Sequence, residues 1–280
     1  MRWQGRQGSS NIEDRRGMGI GLPVGGGIGG LVLLLLFSAL TGTNPLDLIS
    51  SSAPDSGAVG TNAVRDDDPQ AQFVSVVLKD TEDTWGEIMR QHGDAYRPPT
   101  LVLFTDATET SCGVGQSAMG PFYCPNDQKV YLDLSFFRDL DQRFGAPGDF
   151  AQAYVVAHEV GHHIQTLRGL TQQVDAARQR SGQSQSNALS VRVELQADCY
   201  AGVWGHYAAS RGLLEPGDAE EGLRAAAAIG DDRLQQQTQG RVVPESFTHG
   251  TSQERVQWLR RGLDSGRVET CNTFGTNETF

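Results

Sequence analysis

The chain has 280 residues, with 23 Lys and Arg against 34 Asp and Glu and a formal charge of -11. That balance argues against nucleic acid or anionic lipid as a partner, and no Gly-rich phosphate loop, basic-aromatic patch or internal repeat stands against the exclusion. The length suffices for one domain with a sizeable core once an apolar N-terminal stretch and its polar connector are set aside.

Residues 20–40 contain no charge and are long enough to cross a bilayer as one helix. Arg2, Arg6, Arg15 and Arg16 precede them, against Glu13 and Asp14. The positive-inside rule therefore predicts residues 1–19 as a cytoplasmic N-terminus, residues 20–40 as a transmembrane anchor, and the rest as exported. A cleaved signal peptide is the alternative, but the apolar stretch is long and no small-x-small site stands clearly at its end. Residues 41–69, rich in Ser, Asp, Asn, Pro and Gly, read as a flexible linker that cannot repay the entropy of ordering. Residues 70–280 then form the domain.

Within the domain, Phe73, Val76, Val77, Trp85, Ile88 and Met89 recur near helical spacing and predict an amphipathic helix over 71–91. Leu101–Thr105 and Val130–Leu134 are short β-prone runs that should pair in a small sheet. Asp149 as N-cap with Gln152 three residues on, and Gly169 as a stop, predict one helix over Phe150–Arg168. A Gln/Ser-rich connection around 179–187 leads to a second helix ending near Gly212. Asp218 with Glu221, and Thr251 with Glu254, read as capping boxes of two further helices stopped near Gly230 and Gly266. The expected class is α+β, a mostly helical body beside a small sheet.

The first long helix carries His158-Glu159-Val160-Gly161-His162, and the second carries Glu194-Leu195-Gln196-Ala197-Asp198. Residues one turn apart share a helix face, so His158 and His162 can grip one ion while Glu159 reaches a water on it as general base. Glu194 repeats that spacing with Asp198. It is the expected third ligand, and Asp198 the acceptor for the outer nitrogen of a ligand histidine. A lone HExxH is a weak pattern that often marks only a polar helix face. Here the helix is apolar all round, through Tyr154, Val155, Val156, Val160, Ile164 and Leu167, and burying two histidines and a glutamate there demands a partner. The metzincin arrangement is excluded, because Gln165 and Arg168 stand where that pattern needs Gly and a third His. His163 lies off the ligand face, His206 is three turns beyond Glu194, and His92 reads as a surface histidine.

Four cysteines beyond the apolar stretch allow three pairings. Pairing Cys112 with Cys124 would close a Gly-rich loop and leave Cys199 with Cys271. A cysteine-zinc cluster would need the CxxC spacing that these residues lack.

With these motifs the chain resembles the bacterial neutral zinc metallopeptidases, a membrane-anchored family with a gluzincin-like ExxAD third-ligand motif. The stretches that carry the resemblance are Cys112-Gly113, Gly120–Cys124 with Pro125, Val130–Leu134, Gly148–Phe150, His158–His163, Glu194–Cys199, Gly230–Asp232 and Phe247–Ser252, and it runs from about Gln70 to Phe274. It implies a zincin-like metallopeptidase domain on the periplasmic or extracytoplasmic side of the bacterial inner membrane, held there by a single N-terminal helix. It also implies one Zn2+ per chain and a protein or peptide substrate. Similar metallopeptidases place a His or Tyr donor opposite the zinc from a C-terminal segment, which singles out His249 as a catalytic donor, with Tyr123 and Tyr131 as weaker candidates. The strand at 130–134 could pair with an extended substrate. The expected activity is zinc-dependent endopeptidase chemistry. The alternatives are a non-hydrolytic zinc-bearing envelope module, which would have no use for Glu159, and an amidase acting on an envelope polymer.

Overall fold

The computed structural model describes residues 1–17 and 67–275. The stretch 20–40 and nearly all of 41–69 lie outside them. Among the described residues no helix is long and apolar enough to cross a membrane.

In chain order the elements are β1 (Ile12–Asp14), α1 (Pro69–Gln91), β2 (Thr100–Phe104), β3 (Ala107–Thr110), β4 (Gly113–Gln116), β5 (Phe122–Cys124), β6 (Lys129–Asp133), α2 (Ser135–Gln142), α3 (Asp149–Leu167), α4 (Leu170–Arg178), α5 (Gln183–Ser210), α6 (Asp218–Ala228), α7 (Asp231–Gln239) and α8 (Ser252–Ser265). The result is the helix-dominated α+β arrangement that the periodicities predict. The two expected strands, β2 and β6, run parallel, with Leu101 opposite Val130 and Leu103 opposite Leu132. The sheet order is β1-β2-β6-β5, and β3-β4 form a separate hairpin.

Residues 1–17 pack with the rest of the described residues: β1 lies parallel to β2, with Ile12 buried opposite Leu101 in the main core. A three-residue strand followed at once by arginines offers no hydrophobic alternation, so its sequence signal is only its charge, which is answered inside the fold. Arg15 meets Glu13 at 2.7 Å and Arg16 meets Asp68 at 2.6 Å.

Two capping expectations also shift. Asp149 is the first residue of α3 rather than its cap, and its carboxylate meets the Met1 ammonium at 2.7 Å. Asp218 and Glu221 do not cap α6 as a box. Asp218 accepts from the Glu215 amide at 2.7 Å, and Glu221 from the Phe150 amide at 3.2 Å. Asp149 and Glu221 are taken by distant partners, while Asp218 turns back to an amide three residues before it. Thr251 and Glu254 do form the full capping box of α8, and Asp68 caps α1 through the Ala71 amide. Helices α2, α4 and α7 and the β3-β4 hairpin were not legible; each helix is 8 or 9 residues long and too short to establish a period.

The motif helices α3 and α5 pack directly. A Cβ on Gly161 would stand 3.0 Å from the Ala197 carbonyl and 3.3 Å from the Ala197 Cβ, so the hydrogen side chain lets the two backbones approach. Helix α5 in turn crosses α8 glycine to glycine, where a Cβ on Gly262 would run into the Cys199 carbonyl.

Candidate metal centre

At the α3–α5 contact three ligand-type atoms converge. His158 Nε2 lies 3.1 Å from Glu194 Oε2, His162 Nε2 lies 3.2 Å from His158 Nε2, and His162 Nε2 lies 3.5 Å from Glu194 Oε1. Ligands about 2.0–2.2 Å from a tetrahedral zinc stand about 3.3 Å apart, so the spacing fits one such ion. The donor roles point the same way. His158 Nδ1 faces Asp198 Oδ1 at 2.8 Å and His162 Nδ1 faces Gln165 Oε1 at 2.9 Å. Both outer nitrogens are thereby committed as donors, which leaves the two facing Nε2 atoms with lone pairs beside a carboxylate. Such a set repels itself unless a proton or a metal cation joins it.

The surrounding charges have the same sense. Burial alone would lower the pKa of His158, but Asp198 and Glu194 outweigh it and lift the ring to about 10. Burial likewise opposes the charge on Glu194, yet His162 and His158 hold it well below the carboxylate range. This field favours positive charge between the three side chains. Burial raises Glu159, against the pull of His158 and His162, and so moves a carboxylate toward the basicity that a general base needs.

Asp198 is wholly buried and does not act alone. Arg255 from α8 bonds it twice, Nε to Oδ2 at 2.8 Å and Nη2 to Oδ1 at 2.9 Å, and the Tyr154 hydroxyl donates to Oδ1 at 2.5 Å. Burial would raise the Asp198 pKa, but Arg255 and His158 bring it down to about 2. Behind His162, Gln165 uses its Nε2 to donate to the Val193 carbonyl at 2.7 Å and to Gln196 Oε1 at 3.1 Å, which fixes its oxygen toward the imidazole. Gln196 then donates to the Cys271 carbonyl at 3.1 Å.

These supporting residues escaped the sequence reading, though two left signals. Tyr154, His158 and His162 stand at i, i+4 and i+8 on one face. Arg255 lies in register with Leu259 and Gly262 on the buried side of α8, where an arginine needs an anionic partner.

The cluster opens into a cleft of about 570 Å³ whose walls include Glu159, Tyr123, Leu170, Val174, Ile229 and His249. His249 thus shares the cleft with the two motifs. Its loop is held by the first turn of α7: Asp231 accepts from the Thr248, His249 and Gly250 amides and meets His249 Nδ1 at 3.2 Å. The stretches Gly230–Asp232 and Phe247–Ser252 are thereby joined. Tyr123 lines the cleft with its hydroxyl 3.1 Å from His163 Nδ1, while His163 Nε2 donates to the Arg97 carbonyl at 2.7 Å. His163 is therefore a structural histidine, and burial drops its pKa to about 4. Tyr131 is buried in the sheet, its hydroxyl bonded to Asp127 at 2.8 Å, and it does not line the cleft.

One expectation fails here. Strand β6 lies between β2 and β5, so both its edges are occupied and it has no edge for a substrate. The edge strand beside the cleft is β5, which contributes Phe122 and Tyr123 to its wall.

His92 and His206 take no part: His92 caps its own helix through Ile88, and His206 bonds the Leu263 carbonyl at 2.8 Å. A second acidic group, Asp149, Asp218 and Glu221, is close enough to hold a cation, but Asp149 and Asp218 already face the Met1 ammonium. The cysteines pair as Cys112–Cys124 and Cys199–Cys271. The second bridge ties the residue after Asp198 to the C-terminal segment.

The chain is similar to several bacterial proteins. The protein of Escherichia coli (strain K12) described as "Uncharacterized protein YpfJ" is 53% identical over 285 residues, covering 98% of this chain and 99% of its own. "Uncharacterized protein Rv2575" of Mycobacterium tuberculosis (strain H37Rv) is 46% identical over 190 residues, 64% of this chain and 63% of its own. No solved structure matches the chain. The family described as "Putative neutral zinc metallopeptidase" matches residues 1–274, so its pattern includes both the N-terminal strand and the two motif helices, and the chain belongs to that family.

Proposed function

We propose that this protein is a zinc-dependent endopeptidase. The observation that carries the reading is the convergence of His158 Nε2, His162 Nε2 and Glu194 on one point beside the buried carboxylate of Glu159. His158, His162 and Glu194 would hold one zinc ion per chain, with a coordination position left open toward the cleft. A zinc ion bound there supplies Lewis acidity, lowering the pKa of a water to about 7 and polarising the scissile carbonyl. Glu159 takes the proton of the attacking water and passes it to the leaving amine. His249, held through Nδ1 by Asp231, presents its other nitrogen as a donor to the oxyanion of the tetrahedral species. Asp198 and Gln165 fix the two imidazoles.

The edge strand β5 on the cleft wall favours an extended polypeptide substrate, which can add main-chain hydrogen bonds there, over a non-peptide envelope polymer. A module that only bound zinc would need the three ligands and would have no use for Glu159. The two disulfides support an oxidising compartment, on the extracytoplasmic side of a bacterial cytoplasmic membrane. The apolar stretch 20–40 is the proposed membrane attachment.

The test separates metal from catalysis. Glu159→Gln should retain about one zinc per chain by mass spectrometry while cleavage of an unstructured protein falls by a factor on the order of 10² or more. His158→Ala, His162→Ala and Glu194→Ala should each lose the metal. Full zinc in Glu194→Ala would remove the third ligand, and full activity in Glu159→Gln would remove the mechanism.

A further inference from the structure

The N-terminal segment is built into the body that carries the metal centre. Besides the β1–β2 ladder, the Ser9 amide donates to the Ser75 carbonyl at 3.0 Å, and the side chains of Ser9 and Asn11 both donate to Glu82 on α1. Trp3 packs edge-on against Phe73, and Ile12 is 1% exposed. The end of the first described stretch and the start of the second are clasped. Arg16 Nη1 meets Asp68 Oδ2 at 2.6 Å, Arg16 also bonds Asp14, and Asp68 caps α1.

We infer that residues 1–17 and residues 67–275 occupy one compartment. A stretch that crossed a bilayer once would separate its ends by about 30 Å of hydrocarbon. Hydrogen-bonded strands lie about 4.8 Å apart. The two arrangements exclude each other for β1 and β2. The arginines that suggest a cytoplasmic N-terminus are already engaged: Arg15 with Glu13, Arg16 with Asp14 and Asp68, and Arg6 with the Arg2 and Arg211 carbonyls. Their number therefore reports on packing and does not fix a side. No residue of the metal centre enters the argument, so it stands or falls apart from the peptidase reading.

The experiment uses the full-length chain in bacterial spheroplasts. One variant carries an epitope between Gln4 and Gly5, in an exposed turn, and another carries it between Gly240 and Arg241, also exposed. An impermeant antibody should reach both or neither before permeabilisation; reaching one alone overturns the inference. Because an insertion can disturb folding, a second measurement pairs Glu13→Cys with Val102→Cys, which face each other across β1 and β2. Peptide mapping of the unreduced, membrane-bound protein after treatment with a membrane-permeant thiol oxidant should recover a linked peptide, and two free thiols there would overturn the inference equally.

Discussion

Arg255 and Asp198 form a two-pronged ion pair closed off from water, with Nε–Oδ2 and Nη2–Oδ1 distances of 2.8 and 2.9 Å. The side chains are 3% and 0% exposed, so neither charge has solvent to fall back on. Arg255→Met should therefore destabilise the fold by about 3–5 kcal/mol, the scale for leaving a buried charge unpaired. Denaturant unfolding of Arg255→Met, Asp198→Asn and the double variant checks this. The double variant should cost less than the two singles added, because the charge that Arg255→Met strands is gone. Simple additivity would show that the pair is not coupled.

Gln165→Met keeps the length of the side chain but removes the acceptor for His162 Nδ1. Zinc affinity should fall by about 10 to 100-fold, the usual effect of losing an outer partner of a ligand histidine. Asp198→Asn should show a loss of similar size on the His158 side. Competition with a chromogenic chelator gives the number, and unchanged affinity in Gln165→Met would leave His162 oriented by something else.

The two disulfides should differ in weight. They close loops with separations of 12 and 72 residues, and loop-closure entropy then gives about 3 kcal/mol for Cys112–Cys124 and about 4 kcal/mol for Cys199–Cys271. Removing the second should also weaken zinc binding, because Cys271 presents the carbonyl that holds Gln196, which holds Gln165. Removing the first should leave zinc content intact. Unfolding and metal content of the two double Cys→Ser variants decide it, and equal zinc loss in both would dissolve the distinction.

Asp231 raises the pKa of His249, chiefly through the hydrogen bond to Nδ1 and against the opposing effect of burial. A histidine whose folded pKa lies above its unfolded value of about 6.5 contributes stability that is fully present below that pH and fades as pH rises through the folded value. The cost of Asp231→Asn should thus be largest near pH 5.5 and shrink toward pH 9. The part that remains comes from the three amides that Asp231 also accepts. Unfolding at three pH values, with an NMR titration of His249, provides the check; a cost that does not vary with pH would sink the coupling.

The parts of this protein visible in the sequence are those governed by short-range regularity. His158, His162, Glu194 and Asp198 announce themselves through one-turn spacing on long helices, and β2 and β6 through compact apolar runs. The structure brings the first three to one point with Asp198 behind His158, and the cysteine pairs close. What stayed hidden depends on distant partners. Asp149 looks like a cap until an ammonium from the start of the chain reaches it. Gln165 served only to exclude another arrangement, because its three hydrogen bonds join atoms up to 31 residues away. The N-terminal strand was masked by its arginines, whose charges count toward topology in a sequence and toward ion pairs in a fold.

Gly161 gives the HExxH pattern a requirement that its notation omits. The pattern leaves the two residues between Glu159 and His162 free, yet the second of them faces Ala197, 3.0 Å from the place a methyl would occupy. For a protein engineer who transplants the five residues onto another helix, the wild card is the coordinate that sets how far the third ligand stands from the first two. A valine there would preserve every ligand and the base in sequence while pressing on the Ala197 backbone of the helix that carries Glu194. The portable unit is thus a helix pair with a notch, and copying the letters alone should yield a histidine-rich helix that holds metal poorly.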